Sequence, residues 1–188
     1  TITDGSFATG EGLTSATFAA TSAITNAGSV ANTITGVTPK DGTQENDYAF
    51  TYKAGTLTIT NATFSVTLTG GSWTYNGGAH SATLTGTQSS DTIEYRTSTN
   101  GGTTWSTWSS TKPSVTHVSD GPMQVEVKVS RANYNDATAS ATLTITKQAI
   151  ELTADSGSWT YDASEHTKPS YTITDGSFAT GEGLTSAT

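Results

Sequence analysis

Trp105 and Trp108 stand three residues apart in TTWSTWSST, and Tyr95 precedes them in DTIEYRTS. Flat rings bordered by Ser and Thr can stack on a pyranose face while nearby hydroxyls hydrogen-bond the sugar. Trp105, Trp108 and Tyr95 are therefore the candidate glycan contacts, weighed against ordinary packing of the same rings into a turn and a core. Asp41, Glu45 and Asp47 cluster in KDGTQENDY. Hard carboxylate oxygens on one loop suit Ca2+, but the spacing is not that of an EF-hand, and a solvated acidic loop is the plainer reading. His80, His117 and His166 are the three imidazoles, and no His-x-His or His-x-x-x-His spacing exists for zinc. The absence of Cys removes thiol nucleophiles, disulfides and thiolate-bound metals.

Other chemistry has little to work with. The 16 Asp and Glu residues are spread along the chain, and no pair has a local setting that would raise a pKa for acid–base work. No Gly-rich loop leads into a helix, and no Gly-x-Ser-x-Gly elbow occurs. The chain is thus expected to be no enzyme and to carry no cofactor. A net charge of −8, with eight scattered Lys and Arg, disfavours nucleic acid and anionic membrane as partners. No apolar run approaches the ~18 residues of a membrane span. No basic segment followed by an apolar stretch opens the chain, so any export signal is expected outside it.

The elements that would position these residues are strands. In MQVEVKVS, Met123, Val125, Val127 and Val129 point one way, and Gln124, Glu126 and Lys128 the other. Ala141, Leu143 and Ile145 alternate with Thr in ASATLTIT; Ile93 and Tyr95 alternate with Glu94 and Arg96; Tyr48, Phe50 and Tyr52 alternate with Ala49, Thr51 and Lys53. One dry and one wet face per strand is the habit of antiparallel sheets. Turns are marked by KDG at 40–42, NGG at 76–78, NGG at 100–102 and SDG at 119–121. No helical apolar spacing of useful length is present. Short strands and frequent turns predict an all-β fold of tandem immunoglobulin-like antiparallel β-sandwich repeats in an elongated array. Lys53 and Lys128 face outward in this pattern and Lys147 follows a strand, so none is set beside the buried acid that a Lys–Asn isopeptide crosslink needs.

The seventeen residues TITDGSFATGEGLTSAT occur at 1–17 and again at 172–188, a period of 171. A weaker half-period of 86 carries GSWTYNGGAH at 71–80 onto GSWTYDASEH at 157–166, and TLTIT at 56–60 onto TLTIT at 142–146. Three pieces follow. Residues 1–60 are the C-terminal part of a type-two module, 61–147 a complete type-one module, and 148–188 the N-terminal part of the next type-two module. The chain is expected either to be an excerpt of a long repetitive polypeptide or to donate half a module to a neighbour, the excerpt being preferred.

These motifs resemble the MBG-type (YDG-like) repeats of bacterial surface proteins. The likeness rests on Tyr75-Asn76-Gly77, the Val125 to Val129 strand, Asn133-Tyr134-Asn135-Asp136-Ala137, and Leu143 to Ile145. The type-two module is similar to a sister variant through Tyr171 to Thr174, Gly181-Glu182-Gly183 (also Gly10-Glu11-Gly12), Ala31 to Thr35 and Asn46-Asp47-Tyr48. Tyr161-Asp162-Ala163 departs from the pattern by lacking its Gly. STNGGTTW at 98–105 separately resembles the Asp-box, with Asn100 in place of Asp; that motif locks a hairpin turn without catalysing anything. The resemblance implies a non-catalytic stalk or fibre segment of a large extracellular adhesin at the cell surface. Its partners would be neighbouring modules, with host or environmental glycans or proteins met through other regions. The alternatives are a carbohydrate-binding immunoglobulin-like module, or a filament subunit completed by a neighbouring chain's strands.

Overall fold

The computed structural model describes residues 2–185; Thr1 and residues 186–188, the outermost parts of the duplicated segment, lie outside the described residues. The described residues form strands and two short 3-10 turns, with no α-helix. The chain is all-β, as a Thr-rich, aromatic-bearing sequence favours. Two compact units divide it: Thr1–Thr63 with Ala132–Asn135, and Phe64–Arg131 with Asp136–Thr188. The expected third piece, 148–188, therefore groups with most of 61–147, and the Asn-Tyr turn groups with the first unit.

In the first unit, β1 (Leu13–Phe18) pairs antiparallel with β3 (Ile34–Pro39), and β2 (Gly28–Asn32) with β4 (Gly55–Ile59). No described residue of this unit is fully buried. The expected strand over Tyr48–Lys53 is extended chain without a ladder partner. Its rings satisfy one another instead. Tyr48, Phe50 and Tyr52 stack in series at 6.2 and 6.4 Å, and Phe7 tilts onto Tyr48 at 4.8 Å. Tyr48 Oη donates to the Glu11 carboxylate and accepts from Ala8 N–H, while Gly12 N–H donates to Thr43 Oγ1. The Asn133 side chain, on a residue with φ of 67°, accepts from Ala27 N–H and donates to Asn26.

The second unit contains β5 (Thr67–Thr69), β6 (Gly71–Thr74), β7 (Thr83–Thr85), β8 (Thr92–Ser98), β9 (Met123–Ser130), β10 (Ala137–Thr146), β11 (Glu151–Ala154) and β12 (Tyr171–Asp175). Its main sheet runs β6–β10–β9–β8. The β8–β9 and β9–β10 pairs are antiparallel, but β6 lies parallel to β10, Gly71 opposite Leu143 and Thr74 opposite Thr146. β5 pairs with β7, and β11 with β12, both antiparallel.

The alternation read in MQVEVKVS and ASATLTIT is the observed division of faces. Val125, Val127, Val129, Leu143 and Ile145 are buried, joined by Val115, Leu68 and Ala82. On the outer face the register sets Glu94 beside Lys128 and Arg96 beside Glu126, and both pairs close as ion pairs at 2.7 and 2.5 Å. A third pair has no local sequence signal. Asp91, with its side chain out of solvent, takes a two-pronged contact from Arg131 at 2.7 and 2.8 Å, and that guanidinium also lies 4.1 Å over the Phe64 ring. The Arg131 hydrogen bonds hold the Asp91 carboxyl down at about 2.

Candidate functional site

The Asn100 turn explains where the two candidate Trp residues go. Asn100 Oδ1 accepts from Ser98 Oγ and Thr104 N–H at 2.9 and 3.0 Å, and Asn100 Nδ2 donates to Thr104 Oγ1. Ser98 Oγ, itself buried, accepts from Gly102 N–H at 2.9 Å. Gly101 and Gly102 take φ of 70° and 84°, a region that glycine enters without steric cost. The turn is thus locked as an Asp-box-like loop, with Asn doing the work of Asp.

The loop returns Trp105 and Trp108 over the outer face of β8 and β9. The Arg96 guanidinium lies 4.9 Å from the Trp105 ring centre and 4.6 Å from that of Trp108, and Lys128 Nζ lies 4.9 Å from Trp108. Cations occupy ring faces that a sugar would need, and the ion pairs with Glu94 and Glu126 hold those cations in place. Tyr95 does not join the two Trp residues. It is 8% exposed, on the opposite face of β8, packed in the core, and burial pushes its phenol pKa up. The structure therefore brings Trp105 and Trp108 together with Arg96 rather than with Tyr95.

Among the described residues, no group of three or more His, Cys, Asp or Glu is placed to hold a metal ion. Asp41, Glu45 and Asp47 do not converge on a cation: Glu45–Asp47 form one 3-10 turn, and exposed Asp41 lies outside it. The three imidazoles each stack on a different ring. His80 lies on Trp73 at 4.7 Å and 15°, His166 on Trp159 at 5.1 Å and 9°, and His117 on Tyr75 at 5.8 Å.

The first two stacks are one device built twice. In the first, Asn76 Oδ1 accepts from Gly78 N–H and His80 Nε2 at 2.9 and 3.3 Å. In the second, Asp162 Oδ1 accepts from Ser164 N–H and His166 Nε2 at 3.0 and 2.9 Å. Gly77 takes φ of 77°, and Ala163 keeps the same turn at 61° despite its Cβ. Each indole folds back over a glycine. A Cβ on Gly71 would lie 2.8 Å from Trp73, and one on Gly157 2.2 Å from Trp159. The sequence signal was available as the conserved offset of 86 and the shared seven-residue spacing from Trp to His; the stacking of imidazole on indole was not anticipated.

The duplicated segment is also used twice. Glu11 accepts from Tyr48 Oη, with Phe7 beside the ring. Glu182 accepts from Tyr75 Oη, and Phe178 lines a shallow depression with Tyr75, Val118 and Ile150. The Glu182 hydrogen bond raises the Tyr75 pKa.

Compared with family models, with curated proteins and with solved structures, the chain matches none of them.

Proposed function

We propose that this chain is a segment of tandem immunoglobulin-like β-sandwich repeats of the MBG type, serving as a non-catalytic spacer in a large bacterial adhesin or extracellular fibre. The observation that carries the reading is the repeated device: GSWTYNGGAH and GSWTYDASEH build the same Trp, Asx and His arrangement 86 residues apart. A ligand site has no need to recur at a fixed interval, whereas a unit of construction does. The acidic, Thr-rich outer faces suit a segment bathed in water outside the cell. The cations already lying over Trp105 and Trp108 speak for a locked turn over a sugar platform.

The test is a length series. Chains carrying one, two and three copies of the 171-residue period are measured by small-angle X-ray scattering. The maximum dimension is expected to rise by an equal increment per period. A dimension growing only as the cube root of mass would show a collapsed globule and refute the spacer.

A further inference from the structure

We propose that Asn76-Gly77 is a self-modification site, whose side-chain amide closes on the Gly77 amide nitrogen, sheds ammonia and opens with water to an aspartate. The identical pair Asn100-Gly101 is held back from the same reaction. Both asparagines open an Asn-Gly-Gly run in a turn. Asn76, Gly77, Asn100 and Gly101 are all exposed, so water reaches either site. A Cβ on Gly101 would meet nothing within 4 Å, so openness at the attacking nitrogen gives position 76 no advantage. The side-chain amides themselves make the difference.

At Asn76 the carbonyl is engaged and the nitrogen is not. Gly78 N–H donates to Oδ1 at 2.9 Å, which fixes that atom as the oxygen, since a backbone N–H finds no acceptor in an amide nitrogen. His80 Nε2, at 3.3 Å from the same oxygen, must therefore be a donor as well. The imidazole is held there by its stack on Trp73. Two donors aimed at one carbonyl oxygen stabilise the negative charge that gathers on it as Cγ is attacked. Among the described residues Asn76 Nδ2 makes no hydrogen bond, so the departing group leaves nothing behind. Asn100 is tied at both ends. Its Oδ1 accepts from Ser98 Oγ and Thr104 N–H, and its Nδ2 donates to Thr104 Oγ1 at 2.8 Å. Loss of that nitrogen must first break the Thr104 bond.

The reaction balances with water alone. Gly77 N bonds to Asn76 Cγ and gives up its proton to solvent; the Cγ–Nδ2 bond breaks, and Nδ2 takes up a proton and departs as ammonia. The resulting succinimide keeps the Cγ oxygen between its two donors, which direct water to that carbonyl. Opening there breaks the Gly77 N–Cγ bond and restores the ordinary main chain, with a carboxylate at position 76. The twin turn shows that such a carboxylate fits. Asp162 Oδ1 accepts from Ser164 N–H at 3.0 Å and from His166 Nε2 at 2.9 Å, with that imidazole stacked on Trp159. Two devices that differ in sequence thus converge as the protein ages, each ending as a carboxylate against a stacked imidazole.

Peptide mapping tests this on the full folded chain, incubated at neutral pH in heavy-oxygen water. Arg96 lies between the two asparagines, so a tryptic digest reads them on separate peptides. Position 76 is expected to show the amide-to-acid mass change, with one heavy oxygen incorporated, about tenfold or more faster than position 100. In urea the two rates should converge, because the local sequence is then all that acts. His80→Phe keeps a ring on Trp73 and removes the donor; it should slow position 76 and leave position 100 unchanged, while His80→Gln recovers part of the rate. Thr104→Val frees Asn100 Nδ2 and should speed position 100 alone. Reaction at Asn100 as fast as at Asn76 in the folded chain overturns the proposal. So does a rate at Asn76 that holds or rises in a His80→Phe chain of wild-type circular dichroism. Should that variant lose the wild-type spectrum, the ratio of the two rates in the unaltered chain decides alone.

Discussion

Leu143 and Leu57 occupy the same place in two identical TLTIT segments, and their environments differ. Leu143 is fully buried on the strand between β6 and the Val-bearing β9, while Leu57 lies half-buried on a two-stranded sheet. Truncation to Ala removes three carbons from each. At full burial the transfer term alone is about 2.4 kcal/mol, and an unfilled cavity adds to it, so Leu143→Ala is expected to cost about 3–4 kcal/mol. At Leu57 roughly half the transfer term applies and no closed cavity forms, giving about 1 kcal/mol in the dilute monomer. Urea unfolding separates the two. All four Trp residues lie between 73 and 159, so their fluorescence follows the second unit, and far-UV circular dichroism follows both. Leu143→Ala should move the fluorescence midpoint strongly, and Leu57→Ala should leave it in place while shifting only part of the dichroism signal. Equal shifts of the fluorescence midpoint would refute the assignment of the core to one copy of the segment.

Two further expectations concern the ion pair and the turn. The Asp91 carboxyl is depressed from 3.8 to about 2 by Arg131, so its contribution is complete above the ordinary value and fades as pH falls from about 4 to 2. Asp91→Asn should lower the urea midpoint at pH 7 and flatten its fall over that acid range; an unchanged acid slope would show that the pair does not carry the linkage. Ala163, at φ of 61°, bears a Cβ in a conformation that Gly77 occupies freely in the twin turn. Ala163→Gly should stabilise by about 0.5–1 kcal/mol and Gly77→Ala destabilise by at least that, read as paired midpoint shifts in calorimetry; matching signs would be inconsistent with a shared turn geometry.

Alternation located the core strands because a half-buried strand must write its two faces into every second residue. That signal even held the correction to the glycan candidates: in IEYR, Tyr95 shares a face with Ile93, and Arg96 has the other. It failed over Tyr48–Lys53, where alternate aromatics stack along an unpaired extended chain and mimic a strand. The parallel β6–β10 pair was illegible, since a four-residue edge strand beginning Gly-Ser carries too few side chains to declare a partner or a direction. Asp91 and Arg131 meet from 40 residues apart, and no local spacing announces such a pair. The Asn100 turn was legible in full, because every group that fixes it lies within the same eight residues.

The parallel seating of β6 on β10 governs how the second unit answers tension. The chain enters β6 at Gly71 and leaves β10 at Thr146, at opposite ends of two strands pointing the same way. A pull on entry and exit slides one strand along the other, loading the bridging hydrogen bonds together instead of opening them one at a time. Separating this pair by such a pull then demands the loss of its bridging hydrogen bonds in one event, whereas a hairpin pulled from its open end gives way one bond after another.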